Sequence, residues 1–238
     1  MDERYHLREL DETGKNWEAV LKPLLKAAPG RRVLDVGSGS GFLSILLGRL
    51  GYQVTGLDSS DWMVNESRGI AEYYGLSGQV EFCLGDAARM DLPGGGYDIV
   101  ISRYASFLFT DPAGVYRECR RVLKPGGILL NFDMNWMAPV LDPRVGAAFR
   151  QDEARLAEEF GPIRDMYHNE AVLEQMKALP LAGVSRPDWD RDCLEQLGFS
   201  DISLARYPDA GLWNRRSGLR YRSIPTFSVR AVRQGSGI

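Results

Sequence analysis

The chain is poor in the residues that build metal centres and covalent frameworks. Its three cysteines, Cys83, Cys119 and Cys193, are far apart and in no CxxC pair, which argues against a disulfide framework and a zinc site. Buried free thiols in a reducing compartment fit this usage. The histidines are two, His6 and His168. There is no strong excess of charge: 29 basic against 32 acidic residues give a formal net charge of −3, which removes the overall electrostatic case for nucleic acid or an anionic membrane as partner. Arg215, Arg216, Arg220 and Arg222 are a local exception, readable as a basic patch or as a solvated loop. No apolar run approaches the roughly 20 residues that span a bilayer, and the charged start Met1–His6 is not a signal peptide. A cytoplasmic protein with no membrane partner is expected. Repeats and low-complexity segments are also missing, and no feature fixes an oligomeric state.

What is there fits an α/β protein. The 238 residues, 44% hydrophobic, suit one large domain or a core with an elaboration. After a polar stretch over 1–13 and an amphipathic one over 14–28, strand-like and helix-like runs alternate. Strands are expected at Arg32–Val36, Gln53–Leu57, Val80–Leu84, Tyr97–Ser102 and Ile128–Asp133, with Lys124–Gly127 as a turn. Helices are expected at Phe42–Leu50, Asp61–Tyr74 and near 113–123. Such alternation implies βαβ units and a parallel sheet. Residues 136–186 interrupt it with two helical patterns and no clear strand. An insertion there falls at the carboxyl edge of the sheet, where ligands of open α/β sheets bind, and reads as a substrate lid or as a packing elaboration. A helix at Asp188–Leu197 and strands at Ile202–Tyr207 and Thr226–Arg233 complete the chain.

The chemistry starts in the turn after the first strand, Val33-Leu34-Asp35-Val36-Gly37-Ser38-Gly39-Ser40-Gly41. Glycines allow a sharp turn and close approach to a ligand, and the next helix offers free N–H groups. Asp58 ends the second strand about 20 residues on, where an acid accepts from ribose hydroxyls. The spacing is GxGxG rather than GxGxxG, and Asp35 precedes it. An acid repels a pyrophosphate and attracts an ammonium group, which favours S-adenosylmethionine over a dinucleotide; the alternative for Asp35 is a carboxylate that braces the loop. Gly85-Asp86-Ala87 ends the third strand, with Asp86 an acceptor for an adenine amine or a helix-capping aspartate.

These residues resemble the class I S-adenosylmethionine-dependent methyltransferases, in the small-molecule subgroup. The similarity runs over about residues 14–135, through Val33–Gly41, Gly56–Met63, Gly85–Ala87, Tyr97–Ser102 and Arg121–Gly127. It implies a Rossmann-like, seven-stranded, mostly parallel sheet with the last strand inserted antiparallel, here with a helical insertion after strand 5. It implies cofactor contacts by Asp35, Gly37, Ser38, Gly39, Asp58, Ser59, Asp86, Ala87 and Ser102, with Met63 near the adenine. It further implies N-terminal closure over the cofactor, which nominates Tyr5 and Trp17; for both, packing is the alternative. The expected division is 1–28 as closing arm and helix, 29–135 as cofactor-binding core, 136–186 as lid and 187–238 as the rest of the core.

Methyl transfer from a sulfonium is an in-line displacement that needs alignment and exclusion of water more than a strong base. Ser102-Arg103-Tyr104-Ala105 stands where many amino-methylating nucleic-acid enzymes carry Asn-Pro-Pro-Tyr, so a small-molecule acceptor is expected. Tyr104, Asn135, Tyr167 and His168 are the catalytic candidates. Tyr104 and Trp136 offer cation–π faces or core packing. Asn135 orients an amine or hydroxyl, or caps a turn. Tyr167 offers a hydroxyl, and His168 or His6 a base. Arg103 binds a substrate carboxylate or forms a surface ion pair. Two other readings keep the cofactor: attack of its own α-amine to give azetidine-2-carboxylate and methylthioadenosine, or non-catalytic binding by a regulator.

Overall fold

A computed structural model describes residues 5–208 and 211–235; the side chains of residues 5–7 lie outside that description. Seven strands form one sheet in the order β3-β2-β1-β4-β5-β7-β6. They are β1 (Arg32–Val36), β2 (Gln53–Asp58), β3 (Val80–Leu84), β4 (Tyr97–Arg103), β5 (Leu123–Asp133), β6 (Phe199–Tyr207) and β7 (Thr226–Arg233). The first five run parallel, and β7 pairs antiparallel with both β5 and β6. Because the five run parallel, their carboxyl ends lie along one edge, and the reversal of strand order between β1 and β4 opens a ligand-binding crevice there.

The helices are α1 (Tyr5–Leu25), α2 (Phe42–Arg49), α3 (Asp61–Tyr73), α4 (Pro112–Val122), α5 (Ala138–Leu141), α6 (Pro143–Phe160), α7 (Glu170–Lys177), α8 (Asp188–Gln196) and α9 (Arg215–Arg220). Their starts follow local chemistry. Asp111 accepts from the Gly114 N–H at 2.9 Å ahead of Pro112, and Asp142 caps α6 ahead of Pro143. Both are side-chain caps followed by a residue whose missing N–H costs nothing there. Gly161, in the left-handed region at φ 78°, ends α6.

Alternation along the strands divides the core. Val33, Ile101, Leu130 and Phe132 pack with α1–α3, and Leu34, Val100 and Leu129 pack on the opposite face, where Val115 of α4 and Leu194 of α8 lie. A third cluster, with Met134, Trp136, Phe149 and Met176, lies beneath the insertion. No described helix is long and apolar enough to cross a membrane.

Three local expectations change. The segment Lys124–Gly127 lies within β5 as an irregularity in its pairing: Tyr97 pairs with Leu123 and Ile99 with Ile128, and Gly126 at φ 76° absorbs the extra residues. The insertion contains α5 and a 3₁₀ turn at Met166–His168 besides its two main helices. The arginine-rich stretch is a helix, α9, because Asn214 caps it and Arg220 is buried against acidic partners.

Candidate functional site

The turn after β1 bends by placing Gly37 and Gly39 at positive φ, 68° and 53°. A Cβ at position 37 would meet that of Ala105 at 2.5 Å, so only glycine lets the segment after β4 approach. Asp58 fixes the turn: it accepts the N–H of Gly39 at 2.8 Å and of Ser60 at 2.9 Å. A carboxylate has about four acceptor positions, so two remain. Beside it opens a cavity of about 290 Å³ whose wall holds Gly37, Asp58, Ser59, Asp86 and Ala87, together with Leu108 and Phe109. Its charged wall residues, Asp58, Asp86 and Asp111, are all acidic among the described residues. This wall fits S-adenosylmethionine. Two acceptor positions on one carboxylate suit a ribose diol, an all-acidic wall suits a cationic ligand, and it opposes a pyrophosphate.

A second cavity, of about 370 Å³, lies between the end of β5 and the insertion. Phe107, Trp136, Met137, Met176 and Leu181 supply apolar wall, and Asn135 a polar group. The 3₁₀ turn Ser106–Leu108 separates the two spaces: Phe107 faces the second and Leu108 the first. Beneath the wall is a buried polar network. Asp133, fully buried at the tip of β5, accepts from the N–H groups of Phe107 (3.0 Å) and Met134 (2.8 Å), from Trp136 Nε1 (2.7 Å), from Ser106 Oγ and from Arg186 Nη1 (2.7 Å). Arg186 also donates to Asp190 from Nε at 2.9 Å and Nη2 at 2.6 Å. Asn131 and Tyr116 extend the network to β5 and α4.

A family of methyltransferase domains matches residues 27–183. The chain belongs to the class I S-adenosylmethionine-dependent methyltransferases. Among curated relatives of this methyltransferase-family chain, the sterol 24-C-methyltransferase of Yarrowia lipolytica is 38% identical over 187 residues, covering 78% of this chain and 46% of the relative. The 24-methylenesterol C-methyltransferase 2 of Oryza sativa subsp. japonica is 29% identical over 204 residues, covering 83% and 50%. The chain thus spans half or less of these relatives. Two solved structures share the fold: a SAM-dependent methyltransferase from Aquifex aeolicus (TM-score 0.60, 20% identity, 98% of this chain and 99% of that one) and phosphoethanolamine N-methyltransferase 2 of Haemonchus contortus with S-adenosyl-L-methionine (TM-score 0.61, 17% identity, 92% and 53%).

Of the nominated cofactor residues, Gly37, Asp58, Ser59, Asp86 and Ala87 come together on the first cavity. Gly39 borders it through its bond to Asp58, and Ser38 and Ser102 lie in the adjoining turn and strand tip, each with a buried hydroxyl oxygen. Met63, in the first turn of α3, donates its N–H to Ser60 and is outside the cavity wall. Asp35 is 2% exposed and points at α2, where Ser44 Oγ donates to it at 2.7 Å, so it braces the loop; burial pushes its carboxyl up to about 6. Trp17 is core: fully buried, it donates to the Leu212 carbonyl at 2.9 Å and meets Phe132 and Phe42 edge-on. Tyr5 lies in α1 with its side chain outside the described residues, as does that of His6.

The catalytic candidates separate. Asn135 lines the second cavity, its Nδ2 donating to the Arg186 carbonyl at 3.0 Å. Tyr104 is in neither wall: it stacks on Trp213 at 4.5 Å and shares a hydrogen bond with Thr226 Oγ1 at 2.8 Å. Tyr167 donates to the Trp136 carbonyl at 2.7 Å. Burial pushes both hydroxyls well above the ordinary tyrosine range, which disfavours them as bases. His168 belongs to a partly exposed cluster with Glu153 (2.9 Å) and Asp165 (3.1 Å), outside both cavities, because the turn 166–168 and its capping aspartate hold it on the insertion's outer side. Arg103 is neither free nor superficial: its guanidinium lies 3.8 Å from the Phe42 ring centroid and forms a two-pronged pair with Glu9 of α1 at 2.8 and 3.3 Å. Sequence reasoning missed Glu9, Asp133, Arg186 and Asp190. The four-residue spacing of Arg186 and Asp190 at a helix start was the one local signal.

Proposed function

We propose that the chain transfers a methyl group from S-adenosylmethionine to a small-molecule acceptor. The observation that carries this reading is the wall of the first cavity, where a glycine turn meets carboxylates with no basic residue among those described. When bound, S-adenosylmethionine supplies a methyl group on a good leaving group. Asp58 takes the two ribose hydroxyls with its open acceptor positions, and Asp86 takes the adenine amine. Asp35 adds negative potential behind the turn. The remaining work is alignment and exclusion of water. The pair Glu9–Arg103 ties α1 across the end of β4, and residues 136–186 cover the other side as a lid. The relatives are named for sterols, which supports a small-molecule acceptor. They are methyltransferases, which weighs against cyclisation of the cofactor and against a purely regulatory protein.

Incubation with S-adenosylmethionine, with and without acceptors, followed by mass spectrometry, tests this. S-adenosylhomocysteine is expected only with an acceptor. Methylthioadenosine without one would replace this reading by cyclisation, and tight binding with no turnover by regulation.

A further inference from the structure

We propose that Ser106 is a positioning residue for the cofactor: it anchors the turn Ser106–Leu108, which supplies wall to the first cavity, to the tip of β5 and to the end of the insertion. This rests on the methyl-transfer reading. The first argument is that the turn does not hold itself in place. Leu108, its residue in the cavity wall, is 54% exposed, so burial does not fix it. The chain enters the turn through Tyr104 at φ 56°, a left-handed backbone that is costly for a bulky side chain and persists only where its surroundings impose it. Leu108 and Phe109 donate their N–H groups to the carbonyls of Ala105 (3.0 Å) and Ser106 (3.2 Å), bonds that shape the turn without fixing where it sits.

The second argument is what Ser106 touches. It is 1% exposed, and its hydroxyl has one hydrogen and two lone pairs. The hydrogen goes to Asp133 at the tip of β5. The oxygen accepts from Asn131 Nδ2 of β5 at 3.0 Å and from Arg186 Nη2 at 2.8 Å. The hydroxyl is thus fully used, and one side chain ties the turn both to the sheet and to the end of the insertion. The Phe107 N–H, 3.0 Å from the same Asp133 carboxylate, is a second tie. Ser106 itself is outside the wall of the first cavity, two positions before Leu108, so any effect it has on a ligand there passes through the turn.

Calorimetry with S-adenosylmethionine and unfolding in urea, run on the full chain and its variants, test this. Ser106→Ala is expected to weaken binding about fivefold or more, as the loss of one anchoring hydrogen bond does. Ser106→Cys keeps the volume with a poor donor and acceptor, and weakens binding in the same direction. Ser106→Thr keeps the hydroxyl, and a small internal cavity that Ser106 borders with Val115 and Leu129 has room for the added methyl. It is expected to bind within about twofold of the parent. Phe199→Leu is the control for lost stability: Phe199 is buried at the start of β6, at the opposite edge of the sheet from the cavities. It should lower the urea midpoint and leave affinity within about twofold. Alanine and cysteine variants that bind as tightly as the parent, a threonine variant as weak as the alanine one, or an equal loss in Phe199→Leu overturns the proposal. No binding by the parent chain sinks the methyl-transfer reading itself.

Discussion

The two halves of the sheet's ligand edge use polar groups in opposite ways. On the β1–β3 side the wall is backbone and partly exposed carboxylate: Gly37 gives close approach, and Asp58 holds the turn with half its acceptor capacity while keeping the rest for a ligand. On the β4–β5 side the polar groups are buried and satisfied inside the protein, Asp133 by five donors and Arg186 by two carboxylates. One half therefore offers hydrogen bonds, and the other uses them to fix the shape of an apolar wall. Asp35 stands between them, buried like Asp133 but held by Ser44 rather than by a guanidinium.

The contrast breaks most directly at Arg186. Arg186→Met strands two buried carboxylates and is expected to cost about 3–5 kcal/mol, read as a shift in the urea midpoint. An unchanged midpoint would mean that charge does not hold the second wall. Asp35→Asn comes next, with the opposite sign. Burial raises the Asp35 carboxyl from 3.8 to about 6, so its ionisation disfavours the fold: the penalty is absent below pH 3.8, grows as pH rises toward 6 and is complete above it. At about 1.4 kcal/mol per pH unit it reaches about 3 kcal/mol. Unfolding curves should show Asp35→Asn gaining about that much at pH 7.5 and little at pH 3.5, while calorimetry shows weaker cofactor binding at pH 7.5.

A smaller effect, read in binding, is expected at Asp58, which also holds the turn through Gly39 and Ser60. Asp58→Ala should lower S-adenosylmethionine affinity by about 1.5–3 kcal/mol, the range for hydrogen bonds to charged groups, with a largely retained circular dichroism spectrum. Affinity equal to the parent's would remove Asp58 from the ribose. The smallest effect sharpens the comparison by lying outside both halves: His168→Gln should alter stability by less than about 1 kcal/mol, as partly exposed ion pairs do, and leave turnover within about twofold. A large loss of turnover would bring the insertion's outer side into the chemistry.

The β1–β3 half was legible in the sequence because its chemistry lies in short spacings. Strand, glycine turn and helix are contiguous, and each acid sits at a strand end that hydrophobic alternation locates. The second half was not, because its partners meet only in the fold. Asp133 and Arg186 are 53 positions apart and Glu9 and Arg103 are 94 apart, and no local pattern marks them as pairs. The same reason hid the neighbours of His168, Glu153 and Asp165, which lie 15 and 3 positions before it and hold its ring nitrogens. Trp17 was left open between closure and packing: its place on an amphipathic helix shows that it is covered, and only Phe42, Phe132 and Leu212 show by what.

The turn Ser106–Leu108 gives the two cavities a party wall. A displacement of that turn that widens one compartment changes the boundary of the other. If occupancy of one shifts it, the affinity of each guest becomes linked to the presence of its neighbour, and by reciprocity the factor is the same in both directions. On that condition, a substitution at Phe107 that reshapes the second cavity is felt in the first as altered cofactor retention, through Leu108 next to it in the chain.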